Sequence, residues 1–176
     1  MPTPIFTHLM GTLALLSVLV ILTGIFTAVF FFSQLTVQRI RVTEVAESVA
    51  RELVELASVH TLGGGPLTYM YITVPPTIYG QAYNITLQQA GEGKILVTVS
   101  LQLYREVRVV VVPNFGKCRI KVVNGTLEVG DLKISRSILL PLPEVSIDGR
   151  RIRGRPILVA VTQGDTVLIG FSAKWG

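Results

Sequence analysis

From Leu9 to Leu35 the chain carries no charged side chain, and that run limits what can be folded around it. It covers 27 positions, against the roughly 20 apolar residues that cross about 30 Å of hydrocarbon as a helix. No comparable run recurs downstream, which excludes a channel or a multi-span transporter. A secretory signal peptide has a basic leading region and an apolar stretch of about 7–15 residues. Here no Lys or Arg precedes Leu9 and the run is longer, so residues 1–35 are expected to be a retained membrane segment. Composition agrees: 15% of residues are charged and the mean hydropathy is +0.57, where a soluble domain carries about 25% charge. Within the run Gly24 and Ala28 stand four apart, a spacing that lets helices approach closely in lipid.

Beyond the run the pattern becomes amphipathic. Between Val37 and Val59 there is neither Pro nor Gly, and Val42, Val45, Ala46, Val49, Leu53 and Leu56 recur at three- and four-residue steps. Arg39, Arg41, Glu44, Glu47, Arg51, Glu52 and Glu55 fill the other faces, with Glu47 and Arg51 at a favourable i,i+4 spacing. Gly63-Gly64-Gly65-Pro66 is a stop signal. Because it follows a helix and precedes Pro, it is a hinge and not a phosphate loop. The spacing predicts one helix whose first half meets lipid or other helices. Its second half, 36–62, needs an apolar surface to cover.

From Thr68 onward the period is two. Ile95, Val97, Val99, Leu101 and Leu103 share one face of a strand, and Tyr83, Ile85 and Leu87 do so on the strand before it. Gly91-Glu92-Gly93 joins these two, and a valine-rich strand over 105–112 ends at Pro113-Asn114-Phe115-Gly116. Asn124-Gly125 and Asp148-Gly149 are hairpin signals, and Gln163-Gly164-Asp165 separates strands 157–162 and 166–173. The fold class is a long N-terminal α-helix, half transmembrane and half amphipathic, followed by an all-β antiparallel sandwich of about nine or ten strands over 67–176. The stripe of 42–56 is its natural lid.

Chemistry-bearing patterns are sparse. Cys118 is the only cysteine, so no intrachain disulfide forms, and its alternation with Lys117, Arg119 and Lys121 places it on the apolar face of a strand as a buried thiol. His8 and His60 have no Cys or paired carboxylate nearby, and zinc spacing is absent. There is no nucleophile elbow and no dinucleotide fingerprint. Glu92, Glu128, Asp131, Glu144, Asp148 and Asp165 are scattered near turns. No enzyme activity, cofactor or metal is expected. The net charge of +5 resolves into −1 over 36–61 and +6 over 62–176. Arg150, Arg151, Arg153 and Arg155 make its one dense point, an anionic-partner patch or a solvated hairpin tip. No aromatic residue interleaves with them, so a base-stacking platform is missing and no nucleic acid is expected. Two of the three asparagines head glycosylation sequons, Asn84-Ile85-Thr86 and Asn124-Gly125-Thr126, compatible with an exported domain. Against export, Arg39 and Arg41 follow the run while nothing basic precedes it, which by the positive-inside rule places the sandwich in the cytoplasm. Charge alone leaves the orientation open.

This order of parts resembles the archaeal type IV pilin superfamily: pilins, archaellins and the pseudopilin-like proteins of the archaellum stator. Local support comes from Leu9 to Phe32, from the helix exit, and from Val74-Pro75-Pro76-Thr77-Ile78-Tyr79-Gly80 running on through Tyr83-Asn84-Ile85-Thr86-Leu87, which is similar to the first β segment of such proteins. The resemblance implies an exported β domain and a homo-oligomeric filament packed through the N-terminal helix. The chain departs from the family at one place. Family members destined for filaments usually carry a basic residue and then Gly or Ala where the prepilin peptidase cuts; here Gly11 is present but Met10 holds the basic position. Processing would fall between Gly11 and Thr12. Two functions follow: a structural subunit of an extracellular filament, or an unprocessed, membrane-anchored envelope or stator-like accessory protein whose β domain binds a partner protein or the surface layer. A third reading is a cytoplasm-facing anchored module that uses the arginine cluster.

Overall fold

Sixty residues from Pro4 to Gly63 form one helix, α1, with its one proline at the first position and with the glycine run at its end. The structure is a computed structural model and describes residues 4–63, 65–91, 93–103, 108–111, 113, 115, 119–141, 144–147 and 150–174. Twelve strands follow among these: β1 (Leu67–Tyr71), β2 (Tyr83–Gly91), β3 (Lys94–Leu101), β4 (Arg108–Val111), β5 (Ile120–Val122), β6 (Thr126–Val129), β7 (Leu132–Ser135), β8 (Ser137–Leu140), β9 (Glu144–Ile147), β10 (Arg150–Arg153), β11 (Arg155–Gln163) and β12 (Thr166–Lys174). They make two six-stranded sheets. Sheet one runs β1-β11-β12-β7-β6 with β5 also paired to β12, and sheet two runs β10-β9-β8-β2-β3-β4. All pairings are antiparallel except β5 with β12. The expected helix followed by a β-sandwich is therefore what the chain forms.

The chain divides into two compact units, Met1–Val37 and Gln38–Gly176. The amphipathic segment thus belongs with the strands and is not a separate segment over 36–62. Its stripe explains why. Val42, Val45, Ala46, Val49, Leu53 and Leu56 are buried in one hydrophobic core with Tyr83, Ile85 and Leu87 of β2, Ile95, Val97 and Val99 of β3, and Leu158, Ala160, Ile169 and Phe171 of sheet one. Ala50 and Ala57 widen that stripe beyond the residues marked by spacing. Alternate residues of β11 point the other way. Ile157 and Val159 are buried in a smaller cluster with Val123 and Ile134, walled by Leu127, Val129 and Leu132 of the β6–β7 hairpin.

Two close approaches make this layering work. At Gly154 the chain passes from β10 of sheet two to β11 of sheet one, and a Cβ there would lie 2.8 Å from the Lys174 carbonyl oxygen. At Gly170 a Cβ would lie 2.6 Å from the Ile134 side chain and 2.9 Å from the Ser135 carbonyl oxygen, where β7 pairs with β12 with Ser135 opposite Phe171.

The sequence-based strand plan needs correcting: twelve strands form among the described residues where about nine or ten were expected, and Leu103 falls beyond the end of β3 and is exposed. Asn124-Gly125 does not close a hairpin. β5 runs parallel to β12, with Val167↔Ile120 in register, while β6 pairs with β7. Asn124-Gly125 is instead a corner, with Gly125 at φ 84°. The hairpin comes later, at Gly130-Asp131, and a matching one at Gly164-Asp165. In both, only the glycine has positive φ, 58° and 62°, the geometry of a two-residue turn with Gly first. Gly64, Glu92, Asn114, Gly116, Cys118, Asp148 and Gly149 lie outside the described residues.

The end of α1 is fastened by His60, which is 3% exposed. Its Nδ1 lies 2.8 Å from the Thr68 hydroxyl and its Nε2 2.8 Å from the Thr162 hydroxyl, so both ring nitrogens are satisfied by strands of sheet one. Burial holds the imidazole pKa below its ordinary 6.5. Between that value and the lower folded one, the unfolded chain binds more protons, so stability falls as the pH drops through this window. The thermal midpoint in neutral detergent is expected to fall between about pH 7.5 and 5.5. His60→Gln should flatten that fall, and an unchanged profile in the variant would refute the assignment. Gly170→Ala is expected to cost about 1–3 kcal/mol in urea unfolding, because the neighbour it meets is partly backbone; wild-type stability in this variant would contradict the close approach of Ile134 and Ser135 to Gly170.

Candidate functional site

Two surfaces stand out, one in each unit. In the first unit the apolar side chains of α1 have no protein to cover them. An 18-residue window of mean hydropathy 2.6 is 0% buried, and the helix is long and apolar enough to cross a membrane. Leu15, Phe26, Phe30 and Phe32 are each about two-thirds exposed or more. Five hydroxyls on this helix are answered within it. Thr12, Ser17, Thr23, Thr27 and Thr36 each donate a hydroxyl hydrogen bond to the carbonyl oxygen four residues earlier, at 2.8–3.1 Å. A helix built this way presents no unsatisfied side-chain hydroxyl at those positions to hydrocarbon. Thr23, Gly24, Thr27 and Ala28 line a shallow groove between Leu19 and the Phe31 and Phe32 side chains. No atom would meet a Cβ at Gly24 or Gly11.

In the second unit a cavity of about 470 Å³ lies between the start of the amphipathic segment and the connection from β1 to β2. Arg41, Glu44 and Ser48 line it from the helix, and Thr73, Thr77 and Tyr79 from the connection. Several hydrogen bonds hold that connection, among them Ile72 N–H to the Pro156 carbonyl oxygen at 3.1 Å. Ile78 and Gln81 exchange both backbone hydrogen bonds, at 3.0 and 3.1 Å. Glu52 Oε1 accepts the Thr73 amide at 3.1 Å, and Tyr83 donates its hydroxyl to the Pro75 carbonyl oxygen. Arg41 forms a 2.8 Å ion pair with Glu44. Hydrogen bonding to Glu44, and then to Tyr79, raises the guanidinium pKa.

Burial raises the Glu52 carboxyl above its ordinary value, while the Thr73 amide opposes that shift. Its Oε2 is buried without a hydrogen-bond partner. Burial likewise pushes the Tyr83 phenol upward. Tyr79 is the only described non-glycine residue with positive φ, at 52°, and Gly80 follows at 71°. Tyr79-Gly80 is therefore a turn of the Asn-Gly geometry with a bulky aromatic where Asn or Gly is favoured.

The structure separates most of the residues marked in the sequence. Gly11, Thr12, Gly24 and Ala28 lie in the first unit, all on exposed helix. Asn84 is half-buried in β2, where its side chain donates to Thr86 Oγ1 at 3.2 Å, whereas Asn124 is exposed at the corner after β5. The arginine cluster is divided: Arg150, Arg151 and Arg153 belong to β10, the edge strand of sheet two, and Arg155 opens β11 of sheet one. Arg151 and Arg153 are exposed and both take part in interactions. Among the described residues no three His, Cys, Asp or Glu side chains are placed to hold a metal ion. The cavity beside Tyr79 went unmarked in the sequence. Its one local signal is Tyr79-Gly80, an X-Gly pair between extended segments; that Arg41 and Glu44 face it depends on the fold.

A left-handed tyrosine costs on the order of 1 kcal/mol or more relative to a residue that tolerates it. Tyr79→Asn is therefore expected to raise unfolding stability by about 1 kcal/mol, measured by urea titration in neutral detergent; a loss of that size would mean that the Tyr79 side chain outweighs its backbone strain. The chain matches no protein-family model, no curated protein and no solved structure.

Proposed function

We propose that this chain is a type IV pilin-like surface protein, a structural subunit of an extracellular filament assembled through the first half of α1. The observation that carries this is the uncovered apolar helix joined by one unbroken helical segment to a sandwich that buries the second half. A helix with hydroxyls bonded to its own carbonyls and with a groove lined by Thr23, Gly24, Thr27 and Ala28 suits either lipid or a bundle of identical helices. The sandwich then faces outward and works by contact, not by turnover. Export of the sandwich is in keeping with the exposed sequon at Asn124.

Met10, in the place where a processed pilin carries a basic residue, favours a second reading: an unprocessed anchor whose sandwich binds a partner envelope protein. The two separate cleanly. Intact mass and N-terminal sequencing of protein from native membranes should show a chain beginning at Thr12, with filaments in electron micrographs of sheared surface material. An intact Met1 without filaments would replace the filament by the anchor. Gly24→Leu sharpens the test. With no atom near a Gly24 Cβ inside one chain, the variant should keep the thermal midpoint of the sandwich and reduce filament yield several-fold.

A further inference from the structure

Sheet one has an outer face of which only part is covered. The β6–β7 hairpin closes over Ile157 and Val159 from one side. On the remaining part the strand register gathers four side chains that are far apart in sequence. Tyr69 is opposite Val159, Tyr71 opposite Ile157, and Arg155 opposite Lys174, so all four stand on one side of β1, β11 and β12. The Tyr69 and Tyr71 rings meet edge to face, with centroids 6.3 Å apart and planes at 88°. The Lys174 ammonium donates to the Tyr69 hydroxyl at 2.9 Å and stands 4.3 Å from the centre of that ring. Both tyrosines remain about 40% exposed, and Arg155 is exposed. β1, β11 and β12 contain no Asp or Glu, and none of the described ion pairs uses Arg155 or Lys174. The sequence shows four arginines without an aromatic residue among them; the sheet places two tyrosines on the same face as the last of them.

We propose that Tyr69, Tyr71, Arg155 and Lys174 form a binding site for an acidic sugar polymer bearing carboxylates, a polyuronate. The chemistry matches on both sides. Tyr71 offers an apolar ring on which the C–H face of one pyranose packs, and a hydroxyl at its tip for the sugar's own hydroxyls. Arg155 has the planar fork that takes a carboxylate through two hydrogen bonds, and Lys174 adds a second cation. With no acid on the three strands, nothing there repels a polyanion. A nucleic acid fits less well. Successive bases need ring faces they can stack on, and here the rings are perpendicular, with Lys174 over one of them. Two cations also neutralise few phosphates. The site is independent of whether the chain is a filament subunit or an anchor.

The test uses the full-length chain in neutral-detergent micelles and calorimetric titration with oligogalacturonate. An uncharged dextran oligomer and a single-stranded DNA of equal charge serve as comparisons. Oligogalacturonate should bind, dextran should not, and DNA should bind more weakly. The Arg155→Gln/Lys174→Gln double variant should lose roughly tenfold or more in affinity while keeping the wild-type thermal midpoint. Tyr71→Ala should lose several-fold, with Tyr71→Phe retaining part of it. Because Tyr71 stands beside buried Ile157, alanine there also disturbs packing; the double variant, which leaves both rings in place, therefore decides on its own. No binding of oligogalacturonate, equal affinity in the double variant, or tighter binding of DNA would each overturn the proposal.

Discussion

Val42, Val45, Ala46, Val49, Leu53 and Leu56 leave water as one stripe, and the rest of the second unit is arranged around that burial. Each large apolar side chain so covered is worth about 1.5–3 kcal/mol. The stripe shares one core with the facing rows of both sheets, so it is a wall of the sandwich and not an attachment to it. His60 completes the fastening at the far end of the stripe, with both ring nitrogens satisfied by strands of sheet one. The amphipathic segment is thereby part of the second unit itself.

The same burial decides how the strands are layered. Twelve strands in two sheets require the chain to change sheets after β1, β4, β7 and β10. At the last of these Gly154 passes against the Lys174 backbone, and within β12 Gly170 leaves room for Ile134 and Ser135 of β7. These contacts let the β6–β7 hairpin fold over the outside of β11 and β12 and give sheet one a second apolar layer. What that hairpin leaves uncovered is where Tyr69, Tyr71, Arg155 and Lys174 meet. The surface chemistry of the domain follows from where its cover stops.

The two units divide the work by solvent. The first has almost nothing but apolar side chains, with hydroxyls turned back onto its own carbonyls, and belongs in hydrocarbon or against other helices. In the second, three polar side chains fasten the connection after β1 and the end of α1: Glu52 on Thr73, Tyr83 on Pro75, His60 on two threonines.

Much of this was legible from periodicity. An uncharged run, a change to three- and four-residue spacing, and a change again to period two mark the helix, its buried stripe and the strands, because each pattern matches one backbone repeat. The stop at Gly63 is legible for the same reason, as is the Gly164-Asp165 turn. Asn124-Gly125 shows where local rules end. Its residues favour a hairpin, but β5 finds a partner in β12, more than forty residues away, and only a corner remains. The candidate sites were less legible still. Arg155 is visible as charge, yet its aromatic neighbours lie some 85 residues earlier, and Lys174 reaches Tyr69 across 105 positions. By itself the sequence determined which segments become helix or strand and which faces avoid water, since those depend on neighbours a few residues apart. Which strands pair, where the sheets cross, and which exposed side chains share a surface were decided only by tertiary structure, because they depend on register and packing between segments that sequence proximity does not relate.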